Sequence, residues 1–203
     1  MQVSLGVHGP SKHPTALTIG NFDGVHLGHQ ALLKELKAVA SAQSLQMAVM
    51  TFEPHPREFF APEKAPARLA SLREKLERFA DAGVDVVYLC RFNQRFASLS
   101  SESFINDILI KSLNANTILV GEDFRFGAGR RGGVVDIANA GLNLISLPQV
   151  NLGDIDVKAL GDSERVSSTR VRNALAAGRL DVAKNLLGRS EEHTSELQSP
   201  MFI

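Results

Sequence analysis

Apolar residues recur along this chain in short bursts, separated by longer segments with helical spacing. Five bursts read as buried strands, at 17–19, 47–52, 84–90, 117–120 and 144–147. Between the first two, Leu32, Leu33, Leu36 and Val39 fall on one side of a helix over 26–42, and comparable patterns predict helices near 71–82, 101–113 and 134–140. Ser71 and Glu74 form a capping-box pattern ahead of Leu72, Leu76 and Phe79, and Gly83 stands where a helix C-cap belongs. Two further helices are predicted at 168–177 and 181–187, the first opening on hydroxyl residues and closing on Gly178. The prolines Pro54, Pro56, Pro62 and Pro66 make 53–66 an irregular loop. Strands alternating with helices argue for an α/β protein with a doubly wound parallel sheet.

Composition narrows the partners. The 203 residues are enough for a full core. The 22 basic and 22 acidic side chains cancel, which removes the electrostatic case for nucleic acid or an anionic membrane. No apolar run reaches the length of a membrane span, and residues 1–10 lack both a basic start and an apolar stretch, so the expected location is cytoplasmic. The lone Cys90 lies in an apolar run and reads as a buried, inert thiol. Residues 190–203, SEEHTSELQSPMFI, are polar and lack periodicity. They read like translated sequencing-adapter text, so a non-native or disordered tail is expected after a folded unit over 1–189.

Open α/β sheets bind ligands beyond the carboxyl ends of their strands. After Ile19 comes Gly20-Asn21-Phe22-Asp23-Gly24-Val25-His26-Leu27-Gly28-His29. A glycine-bearing strand-to-helix junction offers unpaired N–H groups and a helix dipole to anions. Residues three apart share a face there, so His26 and His29 can address one phosphate chain, and Gly28 reads as room for a ligand against the backbone. A single helical histidine is more often structural; the glycines and the strand-to-helix context reverse that reading. A metal site is the weaker alternative, because no third ligand lies nearby in sequence.

Three more segments carry chemistry. In Arg165-Val166-Ser167-Ser168-Thr169-Arg170-Val171-Arg172, hydroxyls at a helix start can cap it and bind phosphate, and arginines supply charged forks. The alternative is an ordinary capped helix with solvated arginines. In Val120-Gly121-Glu122-Asp123-Phe124-Arg125-Phe126-Gly127, two phenylalanines follow a strand, as a flat apolar ligand or a core-anchored loop would require. In Thr51-Phe52-Glu53-Pro54-His55-Pro56, two prolines stiffen a wall at another strand end, and His55 reads as a structural or ligand-edge residue.

Taken in order, GNFDGVHLGH, TFEPHP, VGEDFRFG and VSSTRVR resemble the adenylyltransferase module of prokaryotic bifunctional riboflavin kinase/FMN adenylyltransferases, over 17–189. The resemblance implies a Rossmann-like nucleotidyltransferase fold of the HxGH superfamily, with a small helical insertion around 55–100. It also implies transfer of AMP from ATP to FMN, giving FAD and pyrophosphate, with Mg²⁺ carried on the ATP phosphates. Matched residue by residue, His26 and His29 with Ser168 and Arg172 take the catalytic positions. Gly20, Asn21, Phe22, Asp23, Gly24, Arg165, Ser167 and Thr169 take ATP-side positions, and Phe52, Pro54, His55, Pro56, Asp123, Phe124 and Phe126 flavin-side ones. Arg170 falls on a variable position. In the family a flavokinase barrel follows a Leu-Gly-Arg sequence; here Leu187-Gly188-Arg189 runs into the adapter-like text, so kinase activity is expected only of a longer parent. The rivals are a related nucleotidyltransferase using a pantetheine or nicotinate phosphate or transferring cytidylate, and an inactive truncated binding module. An aminoacyl-tRNA synthetase is disfavoured by the short chain, the missing lysine-rich signature and the neutral charge.

Overall fold

The structure, a computed structural model, describes residues 1–148 and 166–189. Within them run β1 (Gln2–Leu5), β2 (Thr15–Ile19), β3 (Gln46–Glu53), β4 (Val86–Arg91), β5 (Ala115–Gly121), β6 (Arg125–Phe126), β7 (Gly132–Gly133) and β8 (Asn143–Leu147). Six of these make one sheet in the order β1-β4-β3-β2-β5-β8, with every pair parallel. The strands β6 and β7 pair only with each other, antiparallel. The helices are α1 (Leu27–Ala42), α2 (Pro56–Phe60), α3 (Leu72–Asp81), α4 (Gln94–Ala97), α5 (Ser101–Ser103), α6 (Val134–Asn139), α7 (Ser168–Ala176) and α8 (Leu180–Leu187). No helix among the described residues is long and apolar enough to cross a membrane.

Both faces of the sheet are covered, which is why its inner strands read as continuous apolar bursts rather than as alternation. All five residues of β2 are buried. Leu17, Ile19, Met50, Ile118 and Val120 point into one layer with Phe104, Leu109 and Ile137. Their neighbours Ala16, Met47, Val49 and Leu119 point into the other, with Leu33 and Leu36 of α1 and Phe79 of α3. A third, smaller core gathers Val166, Val171, Ala174, Val182, Leu186 and Leu187 from the α7–α8 end and closes on Leu27 and Leu69.

Several elements depart from the sequence reading. The edge strand β1 was not expected, because its side chains are mostly exposed and give no apolar burst. The loop expected over 53–66 contains α2 and a 3₁₀ turn, Pro62–Lys64. Pro56 opens α2 at a position whose N–H has no helical partner anyway, and His55 with Glu58 completes a capping box. The helix expected over 101–113 is present, but Phe104–Ser112 winds as a π-helix, with the Leu113 N–H donating to the Ile108 carbonyl at 2.8 Å. Apolar spacing alone cannot tell that winding from an α-helix.

The order of strands places the site. From β2 the chain crosses to β3 on one side, while β5 pairs on the other. A crevice therefore opens between the carboxyl ends of β2 and β5, at the topological switch point.

Candidate active site

The segment leaving β2 is held in a tight, partly left-handed path: Phe22 has φ 51°, Gly24 φ 77° and the β-branched Val25 φ 40°. A side chain at Gly24 would also press on Leu69, 3.0 Å from its Cβ. His26 then turns extended and starts α1. Its ring folds back over the first turn and stacks on His29, with centroids 3.7 Å apart and 17° between planes. Phe22 packs against His29 in a tilted contact at 5.0 Å and is itself met edge-on by Phe79 at 5.3 Å. Gly28 lines the cleft, and the missing Cβ also leaves space for the His26 ring, 3.3 Å from where a Cβ would stand, and for the Val166 carbonyl at 3.6 Å.

His29 is held neutral. Burial lowers its pKa most, and the charges of His26 and Lys75 add to that. Two stacked imidazolium ions at this spacing would repel strongly. His55 is also lowered, first by burial, against the opposing pull of Asp23 and Glu58. Its Nδ1 accepts the Arg57 N–H at 3.0 Å, which leaves Nε2 as the N–H of the neutral ring.

Asp23 ties three pieces of chain together. Its carboxylate accepts the Leu69 N–H at 2.9 Å and pairs with the Arg172 guanidinium, both side chains being largely buried. Arg172 also donates through Nε to the Ala67 carbonyl at 2.7 Å, and Ser168 Oγ donates to the Asp23 carbonyl at 2.9 Å. Ser167 caps α7 by accepting the Arg170 N–H. The N-terminus of α7 is thereby fixed against the turn that carries the two histidines. A neighbouring clamp joins the proline turn to the same segment: Arg68 bonds Glu53 and Glu58, each at 2.5 Å from Nη2.

These residues surround two adjoining cavities. The first, of about 440 Å³, is lined by His26, His29, Asn21, Asp23, Ser167, Ser168, Thr169 and Arg172, together with Gly20, Phe22 and His55. The second, of about 1030 Å³, is lined by Phe52, Pro56, Phe92, Phe96, Phe104, Phe124 and Phe126. Gly20, Asn21, Arg57, Asp123 and Phe124 border both. A polar, donor-rich cleft thus opens directly onto an aromatic slot.

Most expected site residues are gathered here, with exceptions. His55, expected on the flavin side, lines the polar cleft. Pro54 lines neither cavity; it follows Glu53 through a cis peptide. Gly24 shapes the turn, and its carbonyl accepts from Arg189 at 2.8 Å. Arg165 and the tail over 190–203 lie outside the described residues. Cys90 is buried, with its thiol pushed up to about 12 by desolvation, as an inert thiol requires. Sequence reasoning missed Arg57 at the junction and Lys75 behind the histidines. The second left a signal: Lys75 lies three residues after Leu72 and four before Phe79, on the apolar face of α3.

A family model described as FAD synthetase matches residues 9–170. The chain belongs to the FAD synthetase family. It is 45% identical over 195 residues to the bifunctional riboflavin kinase/FMN adenylyltransferase of Escherichia coli (strain K12), covering 93% of this chain and 59% of that protein. The protein of the same name from Haemophilus influenzae is 40% identical over 191 residues, with 93% and 60% covered. This member of the FAD synthetase family therefore spans about three fifths of the length of the curated relatives it matches. A crystal structure from Streptococcus pneumoniae, named as a macrolide-efflux protein, superposes with a TM-score of 0.75 at 29% identity, covering 93% of this chain and 61% of that one.

Proposed function

We propose that the chain transfers the adenylyl group of ATP to the phosphate of FMN, releasing pyrophosphate and forming FAD. The observation that carries this reading is the direct junction of the donor-rich cleft with the phenylalanine-lined slot, bordered by Gly20, Asn21, Asp123 and Phe124. An acceptor phosphate lying at that border would meet the α-phosphorus of a triphosphate held in the cleft.

The chemistry needs little proton handling, because a phosphate monoester is already a nucleophile at neutral pH. What it needs is alignment of two anions and donors for the charge that develops on the leaving pyrophosphate. The stacked His26–His29 pair, of which His29 is held neutral, supplies N–H donors on one side of the cleft. The N-terminus of α7 supplies backbone donors and the Thr169 hydroxyl on the other, while Ser168 holds that terminus against the Asp23 turn. Arg172 brings a guanidinium whose orientation is fixed by Asp23 and the Ala67 carbonyl before substrate arrives. Mg²⁺, entering on the triphosphate, would screen repulsion between the anions. Phe52, Phe124 and Pro56 form the walls against which an isoalloxazine would stack. The adenylyltransferase unit is residues 1–189, and the cytoplasm, which supplies ATP, is its proposed location.

The test is a pyrophosphate-release assay with ATP and, separately, FMN, a phosphopantetheine and a nicotinate mononucleotide. Turnover with FMN alone supports the reading. Preference for another acceptor would replace it with a related transferase, and binding without turnover would make the chain a binding module.

A further inference from the structure

Lys75 is a cation that the mechanism above leaves without a task. The residues Leu72, Lys75, Leu76 and Phe79 share one face of α3 by their spacing, and α3 packs on the turn that carries Asp23. Lys75 is only 6% exposed, yet its ammonium group makes no hydrogen bond or ion pair among the described residues. One turn further along, Phe79 touches Phe22, which in turn supports His29. Helix α3 therefore backs the wall that bears the imidazole pair, and Lys75 itself does not line the cleft.

The charges around it explain why burial is tolerated. Desolvation opposes the ammonium most, and Arg68 adds to that; Asp23 from the turn after β2, Glu53 from the end of β3 and Glu58 from α2 favour it. Its own charge reaches His29 on α1 and His55 ahead of α2. Within this group three carboxylates face two guanidinium groups, Arg172 on Asp23 and Arg68 on Glu53 and Glu58. Without Lys75 one negative charge would be left over beside a cleft built for a polyanion.

Resting on the phosphate-cleft reading above, we propose that Lys75 is a positioning residue that cancels the surplus negative charge of the cleft wall and so admits a polyphosphate without touching it. The test titrates the unaltered chain and Lys75→Met with inorganic tripolyphosphate and with ATP by calorimetry, at low and high salt. Lys75→Met is expected to bind tripolyphosphate about tenfold more weakly at low salt, as loss of one nearby charge implies. The difference should shrink at high salt, and Lys75→Arg should restore binding. In the same variant the His29 imidazole, followed by NMR, should titrate at higher pH. Equal tripolyphosphate affinity in the folded Lys75→Met variant would overturn the proposal while leaving the cleft reading intact. An unaltered chain that does not bind tripolyphosphate would overturn both. If Lys75→Met does not fold, Lys75→Gln is measured on the same criteria.

Discussion

The His26 and His29 rings lie stacked 3.7 Å apart, and the His26 ring packs closely over residue 28, which has no side chain. A Cβ there would stand 3.3 Å from two atoms of the His26 ring. Alanine is the better helix former by about 1 kcal/mol, so Gly28→Ala should leave thermal stability unchanged or slightly raised while turnover falls. Removing the donor outright should be more severe. His29→Ala is expected to lower turnover by about 10²–10³, the usual worth of one preorganised donor, with flavin affinity nearly intact. Steady-state kinetics alongside a melting curve separates the two effects.

Stability should depend on pH through the same imidazoles. His29 and His55 are both lowered in the fold from the ordinary value of 6.5. Between that value and their lower folded values the unfolded chain binds more protons than the native one, so stability rises with pH across this window. It should be flat above 6.5 and fall progressively below it, when no ligand is bound. Denaturant midpoints measured from pH 8 down to pH 5 check the sign, and His29→Phe should flatten the slope.

The Asp23–Arg172 pair binds the histidine turn to α7, and both partners are withdrawn from water. Removing one member strands the other charge, so Asp23→Ala should destabilise by about 3–5 kcal/mol. Asp23→Asn with Arg172→Met should cost less than the two single changes summed. A double-mutant cycle in denaturant unfolding measures the coupling.

Phe124 and Phe126 stack at 5.5 Å but do different work. Phe124 borders both cavities, whereas Phe126 is 7% exposed and packed in the core with Phe104. Phe124→Ala should weaken FMN binding with little effect on ATP, read by flavin fluorescence. Phe126→Ala should act chiefly on stability, at about 3–5 kcal/mol.

Much of this was legible in the chain. The inner strands announced themselves because both their faces are buried, as β2 and β3 illustrate. The motifs after Ile19 and Val120 and the hydroxyl run at 167–169 do converge on one crevice, since parallel strands bring their carboxyl ends to one edge. What escaped depended on long-range contacts. β1 is defined by pairing with β4 rather than by its own apolarity. That Gly28 also leaves space for the His26 ring shows only in the folded turn. Lys75 hid in an apolar stripe, where a lysine reads as a break in the pattern rather than a buried charge.

A crystal structure with a non-hydrolysable ATP analogue and FMN tests the central claim most directly. The account predicts the triphosphate between the His26–His29 stack and the N-terminus of α7, the isoalloxazine among Phe52 and Phe124, and the FMN phosphate facing the α-phosphorus at the Asn21–Asp123 border. A triphosphate seated away from the two histidines, or a flavin outside the phenylalanine slot, would contradict it.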